Sequence, residues 1–216
     1  VNPRAIVMVD NCYGEFTCDR EPAADLLVGS LIKNPGGGIA RTGGYIAGQR
    51  AYVDMCAQRL TCPGAGAEVG CSLDEKRGMY LGLFHAPQAT ANAVRTAVFA
   101  ARLFERLGYD VKPDYRTPRA DIIQKIVLGD ADKLIRFVQG MQSGAPVDAF
   151  VTPEPWDMPG YQDPVIMAAG AFTLGSSIEL SCDGPVRPPY VAFMQGGIVY
   201  EAAKVGVLMA AAAMQR

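Results

Sequence analysis

The chain has 216 residues, half of them hydrophobic and 19% charged, with a net charge of −2. That length suits one large domain or two small ones, and the composition is that of an ordinary globular protein. The slight acidic balance argues against a nucleic-acid partner, which calls for a basic excess, and no apolar run reaches the roughly 18 residues of a membrane span.

"RAIVMVD" (4–10) is short, apolar and β-branched, and predicts a fully buried strand. The chain enters it almost at once and has no initiator Met, as a piece cut from something longer would. "ADLLVGSL" (24–31) and "GGYIAG" (43–48) predict two more strands, each bounded by Gly or Pro. A helix is expected over 50–60, then a Gly-rich break over 62–72. A long helix is expected over 87–108, with Pro at its start and Gly at its end. Short strands follow at 109–113 and 121–129. A helix over 130–144 opens on a capping Asp and closes at Gly. "PVIMAAGAFT", "SIELSCDG" and "PYVAFMQGG" (164–197) read as sheet, and 198–216 as a closing helix. The fold class is α/β, with an incomplete unit first and a smaller complete unit second.

The six cysteines (Cys12, Cys18, Cys56, Cys62, Cys71, Cys182) form no C-x-x-C pair. With a single histidine, a Cys/His zinc site is poorly supported, so no metal is expected. A reducing, cytoplasmic compartment is the simplest reading.

"VDNCYGEF" (9–16) and "VGSLIKNPGGGIARTGGYIAG" (28–48) carry the chemistry. Polar groups at the carboxyl end of a buried strand are where open α/β sheets hold ligands. Lys33 lies between a buried strand and a glycine-rich turn, where partial desolvation makes an amine more nucleophilic. The lysine precedes its glycines, so this is no P-loop, and no G-x-G-x-x-G follows the first strand. The glycines at 36–38 are read as allowing close backbone approach to a ligand.

Pyridoxal phosphate needs a lysine for its aldehyde, a carboxylate to keep its ring nitrogen protonated, and hydroxyls or N–H groups for its phosphate. Lys33, Asp10 and Ser30 supply one of each. Tyr13 is either a hydrogen-bond donor to the ring's phenolic oxygen or a packed aromatic.

Together with "VTPEPWDMPGYQDPVIMAAG" and "SIELSCDGPVRPPY", these stretches closely resemble the methionine gamma-lyase-like family. It is also called the aluminium resistance protein family and is related to cystathionine beta-lyases. The resemblance runs nearly end to end. It implies the type I fold of pyridoxal phosphate enzymes: residues 1–90 as part of a large cofactor-binding domain, and 91–216 as a linking helix and small C-terminal α/β domain.

It further implies Lys33 as the Schiff-base lysine, Asp10 as the ring-nitrogen partner, Ser30 at a phosphate-binding position and Tyr13 at the phenolic oxygen. The activity implied is a carbon–sulfur lyase acting on a sulfur-containing amino acid, with a homodimer or homotetramer as the working form. Gly-rich 59–72 suits packing against another chain. Two departures stand out. Cys12 occupies a position where related lyases often carry Thr, and Gln88 stands where a histidine is expected, with His85 nearby and given no role. A complete member should be about twice as long, and its other half should bring the phosphate loop and the aromatic residue stacked on the ring.

In the second half, Arg187 of "DGPVRPPY" is the candidate for the substrate carboxylate, because guanidinium matches carboxylate in a bidentate fork. Arg41 is the runner-up. Trp156, among prolines, reads as part of a rigid loop. The lysine, acid and hydroxyl are shared by aminotransferases and racemases, so reaction type rests on the resemblance. A non-catalytic module with an incomplete site is the alternative from another class.

Overall fold

The computed structural model of the chain describes residues 2, 4–70, 72–171 and 178–215. Its first sheet holds β1 (Met8–Asp10), β2 (Leu26–Ser30) and β3 (Gly44–Gly48), in that order. β1 runs parallel to β2, with Asp10 opposite Val28, and β3 runs antiparallel to β2. The expected buried strand over 4–10 is corrected here. Only 8–10 is strand, and Ile6, Val7 and Met8 are 52%, 51% and 62% exposed. β1 is the edge of the sheet, and among the described residues no other layer covers it.

Helix α1 (Arg50–Leu60) follows β3 and buries none of its residues. A short 3-10 turn at Gly66–Glu68 lies within the Gly-rich break. Helix α2 (Lys76–Arg106) starts eleven residues before its expected Pro87 boundary. Pro87 sits inside it, lacking the N–H that would bond the Leu83 carbonyl, and the helix carries through nonetheless. The preceding turns hold because they pack on the first sheet's turn: a Cβ at Gly82 would stand 2.2 Å from the Gly36 carbonyl oxygen.

The second sheet has the order β4-β5-β8-β7-β6, every pair antiparallel. Its strands are β4 (Asp110–Lys112), β5 (Gln124–Val127), β6 (Val165–Ala169), β7 (Ser181–Pro185) and β8 (Val191–Gln195). The strands expected over 164–173 and 177–184 end and begin in residues outside those described. Helices α3 (Ala131–Ser143) and α4 (Tyr200–Ala213) cover one face. The Asp130 side chain caps α3 by accepting from the Lys133 N–H at 3.0 Å, worth about 1 kcal/mol.

Alternation along the strands sends Ile126, Ile166, Ala168, Cys182, Ala192 and Met194 into one core with α2, α3 and α4. Fully buried Ala97, Ala100 and Ala101 let α2 approach closely, and Phe104 packs on Phe137 with centroids 5.3 Å apart. The expected division near residue 90 falls within α2. The architecture is mixed α and β, and among the described residues no helix is long and apolar enough to cross a membrane.

Candidate functional site

Asp10 and Ser30 are the last residues of two neighbouring parallel strands, so both leave the sheet at the same end. They line one cleft of about 450 Å³ with Cys12, Gly29, Gly44 and Tyr45. The Asp10 carboxylate accepts from the Cys12 N–H at 3.0 Å. That bond, then the Cys12 thiol, and more weakly the Lys33 charge, hold its carboxyl below the ordinary aspartate value. The Cys12 thiol is pushed up, first by burial and then by its bond to Asp10, so it stays protonated.

Lys33 follows three residues after Ser30, and its N–H bonds the Ser30 carbonyl at 3.3 Å. Its side chain does not line the cleft itself. Nζ donates to the Tyr13 hydroxyl at 2.7 Å and stands 4.0 Å from the centroid of the same ring. Tyr13 is held by a tight turn, φ +73°, with the Gly14 N–H on the Asn11 carbonyl at 2.8 Å. Its carbonyl accepts from the Ile122 N–H at 3.1 Å, and its ring packs on Ala89, Ala93, Ile122 and Ile178. Tyr13 is therefore both a packed aromatic and a polar partner.

A buried polar network ties the Tyr13 turn to the Lys33 turn. Asn34, fully buried, donates to the Glu15 carbonyl at 3.0 Å, and the Tyr45 hydroxyl donates to Glu15 Oε1 at 2.9 Å. Asn11 and the Phe16 N–H both bond Glu21, at 2.7 and 3.0 Å. Burial pushes the Glu15 carboxyl above the ordinary glutamate value. Among the described residues no hydrogen bond reaches Glu15 Oε2 or Asn34 Oδ1.

The glycine run works differently from the expectation. Gly37 takes φ +55°, and a Cβ there would stand 2.4 Å from the Gly82 carbonyl oxygen of α2. A Cβ at Gly38 would meet Ile198 at 2.3 Å. These glycines let the chain's own elements close on the Lys33 turn, rather than cradling a ligand.

Arg187 lies apart from the Asp10 cleft, just after β7. It pairs with Asp163 at 3.2 Å and lines a second cavity, of about 340 Å³, together with Asp183. Arg41 is mostly exposed, pairs with Glu75 and touches neither cavity. His85 is exposed on α2. Sequence reasoning missed Asp183, Glu15 and Asn34. The one local signal that could have singled any of them out is that Asn34 directly follows the lysine.

Two parallel strands thus deliver an ionised acid and a hydroxyl to one cleft, and the charge of Lys33, three residues after the hydroxyl, acts on that acid. The chain belongs to the methionine gamma-lyase family, whose model matches residues 1–215.

It is 50% identical over 213 residues to the uncharacterized protein YnbB of Bacillus subtilis, covering 97% of this chain and 51% of YnbB. A solved structure from Clostridium acetobutylicum, of a candidate cystathionine beta-lyase involved in aluminium resistance, matches with TM-score 0.93 and 52% identity over 99% of this chain and 50% of that one. A carbon–sulfur lyase involved in aluminium resistance from Clostridium novyi matches with TM-score 0.89 and 52% identity, over 95% of this chain and 49% of that one. The chain thus spans about half the length of these relatives.

Proposed function

We propose that the whole protein is a pyridoxal phosphate-dependent carbon–sulfur lyase of sulfur-containing amino acids, and that this chain carries its lysine. The observation that supports this best is the meeting of Asp10 and Ser30 at one cleft, with the positive charge of Lys33 acting on Asp10. The lyase names of the related solved structures support the reaction class.

The residues present fit the cofactor. Lys33 would carry its aldehyde, Asp10 would face its ring nitrogen, and Ser30 would take a phosphate oxygen. An ionised Asp10 suits that role, because only a carboxylate keeps a ring nitrogen protonated. The cofactor, when bound, supplies an electron sink for the charge left when a proton leaves the substrate's α-carbon. The Lys33 amine would take that proton, and the Tyr13 hydroxyl, 2.7 Å away, would orient that amine. Arg187, after β7, is proposed for the substrate carboxylate.

We further propose a division near residue 90 into a cofactor-binding part and a smaller substrate-facing part, a cytoplasmic location, and a homodimer or homotetramer as the working form. Exposed apolar residues at Tyr80, Leu83 and Phe84 of α2 are in keeping with such an assembly. Borohydride treatment of the full-length protein with pyridoxal phosphate tests the reading. Visible absorbance above the protein band and a covalent label on Lys33 are expected. A colourless protein that takes no label would refute it.

A further inference from the structure

The face of the second sheet turned away from α3 and α4 carries a row of four side chains. Register places Lys125 opposite Phe193, Phe193 opposite Asp183, and Asp183 opposite Met167. Asp183 is thus the acid of a sheet face otherwise occupied here by an aromatic ring and a thioether on the neighbouring strands and a lysine two strands away.

No hydrogen bond or ion pair among the described residues holds the Asp183 carboxylate, although it is half-buried. Burial pushes its carboxyl up, and the nearby charge of Lys33 pulls it down. Lys33 spends its direct bond on Tyr13 instead. A part-desolvated carboxylate without a direct partner attracts a cation.

The cavity of about 340 Å³ in front of Asp183 is also bounded by Met158, Tyr161, Met167, Arg187 and Phe193. It holds a single carboxylate, too few oxygens for calcium or magnesium, which need six or more. An ammonium is better served, since one carboxylate and a tyrosine hydroxyl satisfy two of its three N–H donors. Two methionines and a phenylalanine form polarisable walls suited to a thioether chain.

We propose that this cavity receives, at Asp183, an ammonium group borne on the leaving-thiol side of the substrate, so that Asp183 selects thioethers with two amino-acid ends over those with one. The proposal rests on the lyase reading for the identity of the substrate and deepens it. Arg187, in the same cavity but already paired with Asp163, remains available to a carboxylate of either end.

Calorimetric titration of the full-length protein with L-cystathionine, which bears an ammonium at each end, and with L-methionine, which bears one, tests it. The wild type should bind cystathionine at least about tenfold more tightly. Asp183→Asn should bring the two affinities within about twofold by weakening cystathionine alone, and Asp183→Glu should restore part of the preference. Equal affinities in the wild type, a preference that survives Asp183→Asn, an equal loss for both ligands, or no binding of either would overturn the proposal. The comparison needs no turnover. Failure to find cofactor on Lys33 would sink the lyase reading and still leave this preference readable.

Discussion

Lys33 and Tyr13 meet twice: Nζ donates to the hydroxyl at 2.7 Å and lies 4.0 Å from the centroid of the same ring. The tyrosine therefore fixes both the direction and the surroundings of the amine. Tyr13→Phe keeps the ring, its packing on Ala89 and Ile122, and the cation–π face, and removes only the acceptor. Hydrogen bonds to a charged group are worth about 1.5–3 kcal/mol. We expect thermal stability close to wild type, and cofactor affinity in the full-length protein weaker by about tenfold or more. Thermal melting reads the first and absorbance titration with the cofactor the second, and an unchanged affinity would leave Tyr13 a packing residue only.

Asp10 is exposed, yet its carboxyl is held below the usual value by the Cys12 N–H and thiol, with help from Lys33. Asp10→Asn keeps the shape and removes the charge that would hold a ring nitrogen protonated. Cofactor should still bind, while turnover of a sulfur amino acid in the full-length enzyme falls by about a hundredfold or more. A rate within a factor of two of wild type would contradict the role.

Glu15 gives a pH prediction. Burial raises its folded pKa above the unfolded value, so the folded state binds the proton more tightly. Its stabilising effect is fully present below the unfolded value of 4.5 and is lost as pH rises through the folded one. Glu15→Gln imitates the neutral form, still accepts from the Tyr45 hydroxyl, and removes the cost of a buried charge. Melting curves at pH 4 and pH 8 should coincide with wild type at the lower pH and lie above it at the higher. A variant less stable at pH 8 would mean that Glu15 works ionised.

Gly37 joins a left-handed backbone to a close approach on the Gly82 carbonyl. Gly37→Ala should cost about 2 kcal/mol or more, because strain and overlap both act at one site. Chemical denaturation of the full-length protein measures it. A loss below about 0.5 kcal/mol would show that the turn and α2 can part easily.

The parts of the fold legible in the sequence were those with local signals. Asp130 and Gly144 marked α3, and the stretches 177–184 and 189–197, read as sheet, hold all but the last residue of β7 and the whole of β8. Asp10, Ser30 and Lys33 were legible as candidates because each sits at or just beyond the exit of an apolar run. Pro87 misled, because tertiary contacts at Gly36 and Gly37 carry α2 through it. The apolar run before β1 misled as well, because hydrophobicity marks a surface to be covered but not whether this chain covers it. Asp183 was invisible, since its neighbours Met167 and Phe193 reach it only through strand register. The Glu15–Tyr45 pair was hidden because it joins a turn to a strand 30 residues on.

The central claim is that Lys33 is the residue that carries the cofactor. Reduction of the full-length protein with borohydride in the presence of pyridoxal phosphate, followed by peptide mass mapping, tests it most directly. The account predicts one stoichiometric label, on the peptide containing Lys33, and its loss in Lys33→Ala together with turnover. A label on another lysine, or activity retained in Lys33→Ala, would contradict it.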